Sequence, residues 1–306
     1  MTANGHDGRT GMTTDGAALR GEDGIPPGLF AFEDVALDRF RVAASYGPLA
    51  RLFGGQVLAQ ALAAAQRTVA DDRPANSCHA YFVRPGDPAK AIDFAVHRDS
   101  DGRSFSARRV AVTQGETLIL NLSASFHQPE AGPEQQFAMP DVPPPESLPA
   151  QDDVIAAAIP DMPPHRYAFW NRDIGIDFRA VEPFVTVAPP KVPPKRHFWL
   201  RLKQSIGGTQ AEHQRMLAYV SDLYLMHTGL LPLGIGWADH HLQDASLDHA
   251  LWFHQPFRVD DWLLYAMDSP FTGGARTLGR GTIFSRDGRL VASAAQEGLI
   301  RMQAER

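Results

Sequence analysis

The stretch Phe53-Gly54-Gly55-Gln56-Val57-Leu58-Ala59-Gln60-Ala61-Leu62-Ala63-Ala64-Ala65 decides the fold. Residues 55–69 read as a helix, and from Val57 to Ala65 almost no polar face remains; a helix apolar all round is buried. Its small alanine side chains let a surrounding sheet approach closely. That sheet follows directly, as extended segments at about 77–83, 91–98, 104–112 and 117–127. The turns between them are Arg84-Pro85-Gly86-Asp87, Asp99-Ser100-Asp101-Gly102 and Thr113-Gln114-Gly115-Glu116. One buried helix followed by four strands in hairpin succession predicts an antiparallel sheet wrapped around a helix.

Further along the chain the same order returns. Strands near 174–179 and 197–202 lead to a helix over 210–226, opened by Thr209 and Glu212 at capping-box spacing. Strands follow at 246–254, 262–267, 276–284 and 290–302, with Asp287-Gly288 as a hairpin turn. His79-Ala80 can be laid on His249-Ala250, and Gly115 on Gly288, so the chain reads as one α+β plan made twice in tandem. Between Pro129 and Pro164 lie ten of the 24 prolines, a composition that resists helix and ladder alike. The expected organisation is a disordered tail over 1–27, an N-terminal unit over 28–128, a Pro-rich linker over 129–165 and a C-terminal unit over 166–306. Within the linker, 153–159 can form a turn or two of helix.

The 306 residues are 44% hydrophobic and 21% charged, the composition of a globular protein. A net charge of −6 offers no basic field to hold a polyanion, so nucleic acid is excluded as a partner. The one cysteine, Cys78, forms no intramolecular disulfide and no multi-Cys metal site, which fits a reducing, cytoplasmic setting. The first residues lack the apolar run of a signal peptide, no apolar run reaches membrane-spanning length, and Gln303–Arg306 is not a Ser-Lys-Leu address.

Three stretches of the N-terminal half carry a resemblance: 53–61, His79-Ala80-Tyr81-Phe82-Val83-Arg84-Pro85-Gly86-Asp87, and Asp101-Gly102-Arg103-Ser104-Phe105-Ser106-Ala107-Arg108-Arg109-Val110. In the C-terminal half, so do Ser221-Asp222-Leu223, Leu247-Asp248-His249-Ala250-Leu251-Trp252-Phe253-His254, Trp262-Leu263-Leu264-Tyr265, Val291-Ala292-Ser293 and Gln296-Glu297-Gly298. Together they resemble the type II acyl-CoA thioesterases. The resemblance implies a double hotdog fold and hydrolysis of acyl-CoA to free acid and CoA, with no metal, no cofactor and no covalent intermediate. It also implies dimers or tetramers. The family's catalytic trio carries over to Asp222, Ser246 and Gln296. Ser246 stands where Thr is common in the family, and Asn76 where a His is often seen.

The residues themselves support that assignment. Asp222 has Ala218, Tyr219, Leu225 and Met226 as its helical neighbours, so its carboxylate is out of place unless polar groups reach it from elsewhere. A structural cap or ion pair is the plain alternative. Gln296 is the one long polar residue on the strand face formed by Leu290, Ala292, Ala294, Gly298, Ile300 and Met302, and a buried amide must be hydrogen-bonded. It is either a satisfied core glutamine or the partner of Asp222. Ser246 alone reads as a turn residue. As an enzyme site, Asp222 would take a proton from water while Ser246 and Gln296 hold that water in place. Backbone N–H groups at Gly54 and Gly55 could steady the developing oxyanion, or these glycines merely allow tight entry to the helix.

Other motifs are weak. There is no Gly-x-Ser-x-Gly elbow and no phosphate loop. Asp239, His240, His241, Asp244, Asp248, His249 and His254 cluster in sequence without metal-ligand spacing. Lys191, Lys195, Arg196, Arg103, Arg108 and Arg109 could meet CoA phosphates but read first as solvated charge. Two alternatives remain: an acyl-CoA hydratase on the same type of fold, which needs a His/Asp pair, and a non-catalytic acyl-CoA binding module, favoured if Asp222 and Gln296 are far apart. A homo-oligomer is expected from uncovered sheet edges and from Trp199, Trp252 and Trp262 as apolar surface.

Overall fold

The computed structural model describes residues 28–44, 51–151, 153–154, 175–183, 188–239 and 241–303. The expected tail and most of the expected helical turn at 153–159 lie outside these residues. In the N-terminal half, strands β1 (Phe32–Ala36) and β2 (Arg39–Val42) precede helix α1 (Gly54–Gln66), which is followed by β3 (Ala75–Phe82), β4 (Ile92–Asp101), β5 (Phe105–Gln114) and β6 (Thr117–His127). In the C-terminal half, β7 (Ile176–Ala180) and β8 (Lys195–Leu202) precede α2 (Gln210–Ser221), followed by β9 (Leu242–Ser246), β10 (Asp248–Phe253), β11 (Leu263–Gly273), β12 (Arg276–Ser285) and β13 (Leu290–Met302).

All strands join one antiparallel sheet in the order β1-β2-β4-β5-β6-β3-β10-β13-β12-β11-β8-β7, with β9 added along β13. Read from either end, the order runs edge hairpin, three meander strands, then the strand that meets the other half. The internal repeat therefore rests on topology. The joint is β3 against β10, where His249 lies opposite Ala80 and Ala250 opposite His79. His249 is buried and His79 exposed, and a two-fold relation keeps each residue on its own face. Laying His79 on His249 is thus one residue out of register. Gly115 and Gly288 do correspond, each at positive φ in the hairpin between the last two strands of its half.

The sheet curls around two helices that run antiparallel. The α1 N-terminus meets the α2 C-terminus, where the Gly55 N–H bonds Asp222, and the Gln66 amide at the other end bonds the Ala211 carbonyl. Every residue of α1 from Val57 to Ala65 is buried, as its composition requires. Two of the polar residues on these buried faces bond backbone nearby: Gln60 Nε2 donates to the Leu29 carbonyl, and the Gln214 amide both donates to and accepts from the Ala75 backbone. Thr209 and Glu212 form the expected capping box.

Three expectations are corrected. Helix α2 ends at Ser221 rather than at 226, because Tyr224 takes a left-handed φ of 67°; the chain restarts as a 3-10 helix at Met226–Leu233. The expected strand 246–254 is broken at Leu247, whose N–H bonds the Glu297 carbonyl and whose carbonyl bonds the Phe82 N–H. Finally, Trp199 and Trp262, at 3% and 8% exposure, are not free apolar surface. Residues 136–148 lie across the outside of the C-terminal sheet, packing Met139, Val142 and Leu148 on Trp199, Trp262, Leu264 and Phe284. Gln136 bonds the Gly288 carbonyl and the Leu290 N–H, the Pro143 carbonyl takes the Trp199 indole N–H, and Glu146 pairs with Arg286. Trp252 remains half-exposed on the outer face of β10, edge-on to His79 at 4.9 Å.

Candidate active site

Asp222 is the C-cap residue of α2 and only 8% exposed. Three donors reach its carboxylate from three other elements. The Gly55 N–H in the first turn of α1 donates to Oδ2 at 2.7 Å, Ser246 Oγ at the end of β9 donates to Oδ1 at 3.2 Å, and Gln296 Nε2 on β13 donates to the same Oδ1. Gln296 Nε2 also donates to Ser246 Oγ at 2.9 Å. Asp222, Ser246 and Gln296 therefore meet in one hydrogen-bonded group. The fully buried Gln296 keeps its Oε1 without a partner among the described residues.

The two glycines belong to the same place. A Cβ on Gly54 would stand 2.8 Å from Asp222 Oδ2 and 3.1 Å from the Phe82 ring, and one on Gly55 would strike the Tyr219 carbonyl oxygen. Glycine is needed here for close approach. The Gly55 N–H is already engaged by the carboxylate, whereas the neighbouring Gly54 N–H has no acceptor among the described residues.

The far end of the helix pair has no equivalent site. Thr68, one residue past the α1 C-cap, stands there instead, and Arg108 bonds both its hydroxyl (2.9 Å) and its carbonyl (3.0 Å). Arg108 is buried and also pairs with Asp101, so it is an internal strut and not a phosphate contact. Arg109 is held by both carboxylate oxygens of Asp99, and Arg196 is buried. Lys191, Lys195 and Arg103 are exposed and make no hydrogen bond to the trio. Asn76 on β3 likewise makes none, and nothing in the structure explains its replacing a His.

The histidine-rich stretch disperses. His227 pairs with Asp244 at 2.8 Å, His254 with Ser293, and Asp248 accepts the Glu297 N–H. His240 lies outside the described residues, and among those described no three His, Cys, Asp or Glu side chains converge as metal ligands. His249 turns inward, fully buried, with Nε2 2.9 Å from Ser221 Oγ. Burial pushes its pKa down, so the ring is neutral. Tyr265, also buried, donates its hydroxyl to the Ser221 carbonyl at 2.9 Å. Sequence reading missed both contacts. The available signal was a His on the inward face of an apolar strand, and a Tyr in the run Trp262–Met267 that needs a partner for its hydroxyl.

A helix pair wrapped by a tandem antiparallel sheet, with a buried carboxylate held by a backbone N–H, a hydroxyl and an amide, defines a double hotdog protein. Comparison with known proteins gives its family. A profile described as acyl-CoA thioesterase matches residues 179–299, and one described as the acyl-CoA thioesterase N-terminal domain matches 42–127. Acyl-coenzyme A thioesterase 8 of Homo sapiens is 37% identical over 302 residues, covering 93% of this chain and 94% of that protein. The crystal structure of an acyl-CoA thioesterase II from Mycobacterium marinum superposes with a TM-score of 0.73 at 35% identity, over 90% of this chain and 98% of that one. A conserved protein with the hot dog fold from Alicyclobacillus acidocaldarius shares the architecture at a TM-score of 0.71 and 17% identity, covering 90% and 98%. The chain belongs to the acyl-CoA thioesterase family and is a thioester hydrolase.

Proposed function

We propose that this protein hydrolyses acyl-CoA to free acid and CoA with Asp222 as general base. The observation carrying this is the buried Asp222 carboxylate, fixed by Gln296, Ser246 and the Gly55 N–H. Such a group takes a proton from water as the water oxygen bonds to the thioester carbonyl carbon. Gln296 Nε2 is pinned between Asp222 and Ser246, which leaves Oε1 as an acceptor for the water's second hydrogen. The developing oxyanion falls to the positive end of α1, where the Gly54 N–H is the unengaged donor. When the tetrahedral intermediate collapses, the C–S bond breaks, and the proton held by Asp222 passes to the CoA thiolate.

The hydratase alternative needs a His that reaches substrate, and His249 is fully enclosed with its Nε2 bonded to Ser221. A bare binding module has no need of a carboxylate and an amide in direct hydrogen bond. Purified protein is expected to release CoA thiol from a series of acyl-CoAs of graded length, with turnover unchanged by EDTA, because among the described residues no His, Cys or Glu joins Asp222 in a metal-ligand cluster. Loss of turnover in EDTA that zinc restores would overturn this mechanism.

We further read the protein as a cytoplasmic homo-oligomer. The compartment reading rests on Cys78, a free buried thiol with its pKa pushed up to about 12, and the assembly reading on Tyr81, 66% exposed on the outer face of the central strands that also carries His79 and Trp252. Light scattering at micromolar concentration tests the assembly: a mass of two or four chains is expected, and one chain's mass would count against it.

A further inference from the structure

Asp222 is the last residue that continues the helical path, and its aim depends on how the preceding residue is held. Ser221 is fully buried and gripped at two atoms from two different strands. Its hydroxyl donates to the Ala218 carbonyl at 3.1 Å and, with His249 in the Nε2–H tautomer, accepts the 2.9 Å contact from that ring. From the opposite strand, Tyr265 on β11 donates to the Ser221 carbonyl. This approach is open because β12 carries Gly281 where any Cβ would strike the Tyr265 ring. Below Asp222 the chain is clasped again: the Leu225 carbonyl lies against Gly279, and Met226 against Gly298. All of these groups are buried, and all of them bear on the one turn that carries the carboxylate.

We propose that His249 and Tyr265 are positioning residues for the reaction, clamping Ser221 so that the Asp222 carboxylate stays on Gly55, Ser246 and Gln296. The inference rests on reading Asp222 as the base. Burial and the nearby Asp222 charge raise the Tyr265 pKa and burial lowers that of His249, so at neutral pH one is a phenol and the other an imidazole, both able to donate. A displacement of even a fraction of an ångström at a general base is felt in the chemical step more than in binding.

The test uses His249→Ala, His249→Gln and Tyr265→Phe in the full chain, with thiol-release kinetics and circular dichroism, beside Asp222→Asn. Expected are a fall in kcat of about ten-fold for His249→Ala and Tyr265→Phe with KM within about two-fold, and recovery of most of that loss in His249→Gln, whose amide can reach the Ser221 hydroxyl. Where His249→Ala does not fold, Tyr265→Phe, which deletes one oxygen, decides. Parent-level kcat in folded Tyr265→Phe and His249 variants, with Asp222→Asn inactive, overturns the clamp and leaves the base standing. Equal loss in His249→Ala and His249→Gln overturns the hydrogen-bond role of His249. Parent-level kcat in Asp222→Asn removes the base, and the clamp with it.

Discussion

Asp222→Asn is expected to lower kcat by about 10²–10⁴-fold, the contribution of a well-placed general base, while KM changes far less. The substitution is close to isosteric, so the consequences follow from hydrogen-bond inventory. The carboxylate accepts at both oxygens: Gly55 N–H on Oδ2, Ser246 and Gln296 on Oδ1. An amide accepts at one atom and donates from the other. With its oxygen toward Ser246 and Gln296, its NH₂ faces the Gly55 N–H, two donors together in a buried site. That costs about 1–3 kcal/mol, which the fold can bear. The protein should therefore remain folded by circular dichroism yet fail in thiol release. Gln296→Ala should also lose on the order of 10²-fold in kcat, because Ser246 and Asp222 lose the amide that joins them. Near-parental turnover in folded Asp222→Asn is the result that would sink the mechanism; a lowered melting temperature with unchanged kcat would mark Asp222 as a structural cap.

How much of this could be read in advance depended on range. Helix α1 was legible because nine consecutive inward-compatible residues leave no solvent face, a local property that survives any tertiary context. Strand β13 was legible for the same reason, its period-2 pattern holding from Ala292 to Ile300. The β1–β2 hairpin was not: of its nine strand residues only Phe40 and Val42 are buried, so it lacks a hydrophobic pattern and is held by pairing to β4. The end of α2 was misread because Leu223 through Met226 stay apolar and helix-compatible. The turn at Tyr224 ends the helix, and beyond it the Leu225 carbonyl is seated against Gly279, a contact made more than fifty residues away. In the site, Asp222 and Gln296 were found by incongruity, polar groups on apolar faces. Their meeting, like the covering of Trp199 and Trp262 by residues 136–148, is tertiary and leaves no local trace.

The largest expected effect on stability is at Gly55. On propensity alone, Gly55→Ala in the first turn of a helix should stabilise by about 0.4–1 kcal/mol, since alanine narrows the unfolded ensemble. The packing reverses that sign. A Cβ at Gly55 would strike the Tyr219 carbonyl oxygen of α2 and stand 2.6 Å from the Phe53 ring. A ring at the chain's own N-cap can tilt; a carbonyl inside the partner helix cannot, so the helices must part where the two halves of the core meet. Overpacking of this kind costs typically about 1–3 kcal/mol and sometimes more, which exceeds the propensity gain. Parting the helices also draws the Gly55 N–H away from Asp222, so activity should fall together with the melting temperature. Gly54→Ala is the internal control. Its Cβ would meet only side-chain atoms, Asp222 Oδ2 at 2.8 Å and the Phe82 ring, both able to move. That variant should melt near the parent temperature while losing kcat, because the carboxylate and not the backbone gives way. Thermal unfolding and thiol release on both variants separate the two roles of the glycine pair, and a Gly55→Ala protein as stable as the parent would mean that the helix crossing has slack that the structure does not contain.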